Sequence, residues 1–159
     1  MDDEGVDVDA LEALLPTLDK APRLLYTIPT FHNPRGSVLP DDRRTRLVRL
    51  ARKHGFTILA DDVYQFLPSD ADARPPRPMT YHDAVTARED GCAPGVAVSM
   101  GSFSKLLCPG LRIGWILSTP DIVKQCSTRG VIRSGGCRSH FTSGMVMRCI
   151  ENGDFEVRE

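Results

Sequence analysis

The sequence predicts an α/β fold built on a largely parallel sheet. Short apolar, β-forming runs recur along the chain, and helical segments or long connections separate them. With 159 residues the chain is long enough for one domain with a real core. No internal repeat or low-complexity tract competes with that reading.

Residues 7–20 read as a short helix, with Leu11, Leu14, Leu15 and Leu18 at helical spacing and a break expected at Pro16. Arg23 to Ile28 reads as a strand stopped by Pro29, and 30–40, with Pro34, Gly36 and Pro40, as a loop. A helix is expected from Pro40 or Asp41 to about His54. Leu47, Leu50, Ala51 and His54 line one face and the arginines the other, solvated one; Gly55 serves as its stop. Phe56–Ala60 is a second strand. Residues 67–95, with five prolines, read as a long irregular connection. Val96–Met100 and Arg112–Leu117 are the third and fourth strands. A helix follows from Pro120 or Asp121 to about Arg129, Gly135 and Gly136 interrupt, and a last helix runs from about Ser139 to Asn152.

Composition is ordinary: 41% hydrophobic, 26% charged and a formal net charge of -1, which suggests neither disorder nor a disulfide scaffold. The small net charge hides an asymmetry. Residues 1–19 carry seven acids and no base, so the remainder is basic and tolerates an anionic ligand. Six of its bases fall within 43–53, the pattern of a solvated helix face and not of a nucleic-acid stripe. The five cysteines show no metal-ligand spacing and read as reduced thiols. The acidic N-terminus lacks a signal or transit pattern, and no apolar run reaches membrane-spanning length. The expectation is a soluble cytoplasmic protein with no nucleic-acid or membrane partner and no metal.

Three fragments carry chemistry. In Tyr26-Thr27-Ile28-Pro29-Thr30-Phe31-His32-Asn33-Pro34-Arg35-Gly36, Asn33 lies just beyond a strand, and Pro34 disfavours helix for it. Its amide can donate to a ligand oxygen, or the pair can be a plain Asn-Pro turn. In Ala60-Asp61-Asp62-Val63-Tyr64, Asp61 follows an apolar strand directly. A carboxylate there suits a protonated ring nitrogen, with Tyr64 pointing the same way if the chain turns helically; equally, Asp61 or Asp62 can be a helix N-cap. In Ser102-Phe103-Ser104-Lys105, followed by Arg112, the lysine amine suits an aldehyde, and the hydroxyls and guanidinium suit a phosphate. The competing reading is a surface lysine near a core-flanking arginine. Placement favours the ligand readings together: Asn33, Asp61 and Lys105 all fall just past a strand's C-terminal end, the edge where open parallel sheets bind ligands.

In this order the fragments resemble the class I/II pyridoxal-phosphate aminotransferases of fold type I, through Tyr-x-x-Pro-x-x-x-Asn-Pro-x-Gly, Asp-x-x-Tyr, and Ser-x-Ser-Lys with an arginine seven residues later. Gly110-Leu111-Arg112-Ile113-Gly114-Trp115 is similar to the 2-aminoadipate/kynurenine/aromatic branch. The resemblance implies a three-layer α/β/α large domain and transfer of an amino group from an amino acid to a 2-oxo acid. Its cofactor is pyridoxal 5'-phosphate. It implies that Lys105 carries the cofactor as a Schiff base and moves protons. Asp61 pairs with the pyridinium, Asn33 and Tyr64 bond the phenolic oxygen, and Ser102, Ser104 and Arg112 hold the phosphate.

The resemblance covers roughly residues 20–150. The segment 1–19 is expected as an acidic arm, 20–152 as a partial cofactor-binding large domain, and 153–159 as a tail. Against the family's pattern, the front phosphate loop and the small C-terminal domain are expected to lie outside these 159 residues. Family members are homodimers, so an isolated fragment is expected to expose part of its core. The alternative expectation is a non-catalytic remnant or interaction fragment of such an enzyme.

Overall fold

A computed structural model of the chain describes residues 1–67, 76–134 and 139–154. The expected interruption at Gly135–Gly136 lies outside them, as does most of the expected tail.

Four strands form one sheet in the order β1 (Leu24–Thr27), β2 (Thr57–Asp61), β3 (Ala97–Ser102), β4 (Gly114–Leu117). The first three are parallel, with Tyr26 beside Leu59 and Asp61 beside Met100. The fourth runs antiparallel to β3 and pairs Ser102 with Gly114. The fold is thus α/β with a mainly parallel sheet. That reversed last strand has a functional effect: it brings the residues that precede β4 to the edge where the other strands end.

Helix α1 (Val8–Leu14) is capped by Asp7, whose carboxylate accepts from the Ala10 N–H at 2.9 Å. Pro16 ends it in a single 3₁₀ turn, Leu15–Thr17. Helix α2 (Asp41–His54) packs Leu47, Val48 and Ala51, each fully buried, against Ile58 and Ala60 of β2. Each such leucine or valine contributes roughly 1.5–3 kcal/mol. Gly55 ends α2 at φ 74°, a left-handed conformation glycine adopts without Cβ strain.

The expected irregular connection contains a helix, α3 (Met79–Glu89). Pro78 stands just outside its first turn, where a proline does no harm. Its buried face is Met79, His82, Asp83, Thr86 and Ala87, so polar side chains break the apolar period that would have revealed it. Asp83 and Thr86 find their partners inside the fold, Thr86 Oγ1 donating to the His82 carbonyl at 2.7 Å. Asp83 Oδ2 accepts the N–H groups of Gly95, Val96 and Ala97 at 2.8, 3.0 and 3.3 Å and ties the loop before β3 to α3. Asp83 Oδ1 takes the Arg52 guanidinium at 2.8 Å.

The arginines of α2 correct a second expectation. Arg44 is not solvated: it is fully buried, and it donates to the carbonyls of Leu39, Pro29 and Arg77 and to Thr30 Oγ1 at 2.7–3.1 Å. The loop between β1 and α2 is therefore hung on one guanidinium. The exposed cations of the helix meet the acidic N-terminal segment: Arg43 reaches Asp2 and Glu4, and Arg46 reaches Asp9 and Glu12.

Beyond β3 come α4 (Phe103–Leu106), α5 (Pro120–Ser127), α6 (Gly130–Arg133) and α7 (His140–Glu151). This part buries little. Val146 is its one buried hydrophobic among the described residues, while Phe141 is 76% exposed.

Candidate functional site

The ends of the three parallel strands put Asn33, Asp61 and Lys105 at one edge of the sheet, as their spacing anticipates. Asn33 lies exposed in the loop after β1. Asp61 is the last residue of β2. Lys105 sits one turn past β3 in α4, a four-residue helix absent from the sequence reading. The Ser102 hydroxyl caps that turn by accepting the Ser104 N–H at 3.1 Å. This hydroxyl therefore has a structural duty beside any ligand duty.

Arg112 reaches the same edge through the antiparallel β4. The Phe103 N–H donates to the Ile113 carbonyl at 3.0 Å, which zips the two segments together just beyond the ladder. Arg112 has φ 54°, left-handed backbone that costs a side-chain-bearing residue about 1–2 kcal/mol. In that conformation its Nη1 donates to Ser104 Oγ at 3.2 Å. Ser102, Ser104 and Arg112 line one wall of an open cavity of about 550 Å³.

Tyr64 follows Asp61 in a turn held by Gln65 N–H to the Asp62 carbonyl at 3.1 Å and Leu67 N–H to the Tyr64 carbonyl at 3.0 Å. Its ring faces Lys105, with Nζ 5.6 Å from the ring centroid. Neither Asp61 nor Asp62 caps a helix: the Asp61 carboxylate accepts a side-chain hydroxyl, and the segment after it is this turn. Lys105 and Arg112 have no carboxylate partner among the described residues.

Two features escaped sequence reasoning. One is Tyr26, whose hydroxyl donates to Asp61 Oδ2 at 2.6 Å. That bond, and then burial, pushes the Tyr26 phenol up to about 12. Only the strand register could have revealed it. The other is the aromatic support under α4. Trp115 lies across Gly101, where a Cβ would come within 2.1 Å of the indole, and Phe103 packs on the indole at 4.8 Å between ring centroids. A glycine beneath a tryptophan on the neighbouring strand was the available signal.

Residues 1–157 match the family described as aminotransferase class I and II. Aromatic-amino-acid aminotransferase 1 of Thermococcus litoralis is 38% identical over 128 residues, 79% of this chain and 28% of that protein. The 2-aminoadipate transaminase of Thermus thermophilus is 39% identical over 123 residues, 77% of this chain and 28% of that protein. Among solved structures, a kynurenine aminotransferase from Pyrococcus horikoshii, in complex with PMP, superposes with a TM-score of 0.82 at 31% identity. It covers 98% of this chain and 36% of that one. The α-aminoadipate aminotransferase LysN from Thermus thermophilus, complexed with N-(5'-phosphopyridoxyl)-L-leucine, gives 0.78 at 31% identity, over 98% and 37%. The chain thus spans less than a third of those two curated relatives, and within that span it belongs to the class I and II aminotransferase family.

Proposed function

We propose that this chain supplies the lysine-bearing part of a transaminase that moves an amino group from an amino acid to a 2-oxo acid with pyridoxal 5'-phosphate. The observation that carries the reading is the charge pattern at the strand ends. A primary amine and a guanidinium without carboxylate partners share one sheet edge with a carboxylate, a phenol and two serine hydroxyls. Both cations are exposed and need no acid for stability, so it is their convergence with these polar groups at a ligand edge that suits an anionic, electrophilic ligand.

The donor set fits the cofactor group by group. Arg112 and Ser104, already 3.2 Å apart, form a fork for a phosphate, and Ser102 adds a hydroxyl. Asp61 suits a ring nitrogen that must stay protonated. Tyr64 and Asn33 suit a phenolic oxygen. Lys105 suits an aldehyde carbon. When bound, this cofactor supplies an electron sink for the carbanion left by proton removal.

The residues here would do the rest. Lys105 would hold the aldehyde, and its amine would be the group that moves a proton at the substrate α-carbon. Asp61 holds the ring cation in place. Tyr64, against Lys105, limits where that amine can swing. Arg112 and the serines fix the cofactor's position, which makes the proton transfer effectively intramolecular.

The test is the absorbance spectrum of the purified chain mixed with pyridoxal phosphate and then desalted, beside Lys105→Ala. A retained visible band in the wild type that the variant lacks is the expected result. A folded wild type that retains no cofactor overturns the reading for this chain and favours the non-catalytic fragment.

A further inference from the structure

We propose that Tyr26 is a positioning residue for Asp61: its hydroxyl holds one carboxylate oxygen and leaves the other available to a protonated ring nitrogen. The inference rests on the cofactor reading above, and extends it to the first residue of the first fragment, to which that reading assigns no role.

Strand geometry makes the contact. Tyr26 pairs with Leu59 in the parallel ladder, so Tyr26, Leu59 and Asp61 project from the same face of the sheet. Strands lie about 4.8 Å apart, and two residues along β2 advance about 6.6 Å, which puts Asp61 diagonally ahead of Tyr26 at about 8 Å. A phenol spans that gap; a serine or threonine would not. The hydroxyl arrives at Asp61 Oδ2 at 2.6 Å, the length of a charge-assisted O–H···O⁻ bond. Among the described residues this is the one hydrogen bond the Asp61 side chain accepts.

The contact immobilises one carboxylate oxygen of Asp61, which fixes the plane in which the other can accept. Tyr26 itself is 55% exposed, so its ring does little packing, and the hydroxyl bond is its main tie to the fold. The high pKa of the phenol is the measurable trace of the contact.

The experiment compares wild type, Tyr26→Phe and Asp61→Asn, each titrated with pyridoxal phosphate and with its 1-deaza analogue, in which carbon replaces the ring nitrogen. Tyr26→Phe is expected to weaken the natural cofactor roughly three- to tenfold and to leave the deaza analogue unchanged. Asp61→Asn should show the same selectivity, more strongly. Equal weakening of both compounds in Tyr26→Phe makes Tyr26 merely structural and overturns the inference while sparing the cofactor reading. A wild type that binds neither compound overturns both. A second readout needs no cofactor. By NMR of ¹³C-tyrosine-labelled protein, Tyr26 should ionise at about 12 in the wild type and near the ordinary value of about 10 in Asp61→Asn. Ionisation near 10 in the wild type would show that the bond does not form in solution, and would equally overturn the inference.

Discussion

Helix α2 and the strand-end edge hold cations in opposite ways. All six basic residues of α2 have partners. Arg44 is spent on carbonyls, Arg52 on Asp83 and Asp90, Arg49 on Glu89 and Asp90, and Arg43, Arg46 and Lys53 on the N-terminal acids. At the edge, Lys105 rests on the face of Tyr64 and Arg112 touches a hydroxyl and a carbonyl. A positive charge that is buried, as Arg44 is, or set beside an acid is part of the architecture. An exposed positive charge held only by neutral groups at the strand ends is available. The difference separates the bases that build this protein from those that can meet a ligand, which composition alone cannot do.

The first way to break the comparison is at its most buried point. Arg44→Met is expected to cost roughly 3–5 kcal/mol, because it strands three carbonyls and a threonine hydroxyl where water cannot replace the guanidinium. Urea denaturation followed by circular dichroism measures it, and a loss below about 1 kcal/mol would mean that the loop holds itself. Next comes Asp83→Asn, expected to cost about 2–3 kcal/mol. An amide keeps one acceptor, but it loses the charge that serves both Arg52 and the three N–H groups before β3. The same denaturation curves serve, and an unchanged midpoint would argue that the turn before β3 forms without its anchor.

Both residues show where the sequence is legible and where it is not. The strands, α2, α5 and α7 announce themselves through apolar period, prolines and Gly55, and the motif residues fall at the edge their strands dictate. Arg44 was misread because its charge says surface, whereas its environment is a set of inward carbonyls from a loop whose path no periodicity encodes. Helix α3 was missed for the same reason in reverse: His82, Asp83 and Thr86 occupy its buried face. Asn33, Asp61, Tyr64, Lys105 and Arg112 stand out as candidates in the sequence alone, but the Tyr26–Asp61 bond and the Ser104–Arg112 bond depend on strand order and on the antiparallel β4, which are tertiary facts.

Asp62 sharpens the comparison from the acid side. It neighbours Asp61 but is buried, and desolvation raises its carboxyl above the usual range, with Ser99 and Arg44 offsetting part of the rise. The folded chain therefore holds a proton that the unfolded chain gives up more readily. Asp62 favours folding at low pH, and that contribution is lost as pH rises from the unfolded value through the folded one. Relative to wild type, Asp62→Asn should gain stability as pH goes from 4 to 7. A gap in thermal midpoint that stays constant over that range would show that burial does not raise the Asp62 carboxyl.

The smallest stability effects come from two exposed arginines that differ only in partners. Arg46 is paired with Asp9 and Glu12 on the surface, where such contacts contribute little and fade with salt. Arg46→Gln should therefore leave the thermal midpoint unchanged at moderate salt and leave anion binding untouched. Arg112→Gln should also leave the fold close to intact, and removing the guanidinium should weaken inorganic phosphate and pyridoxal phosphate alike by roughly tenfold, the size of a charge-assisted contact. Calorimetric titration of the two variants side by side decides the matter. If both lose phosphate equally, the chain attracts anions by its general charge, and the unpaired cations at the strand ends have no special claim on the ligand. If only Arg112→Gln loses it, the anion is held at the strand ends and not by the general charge of the surface.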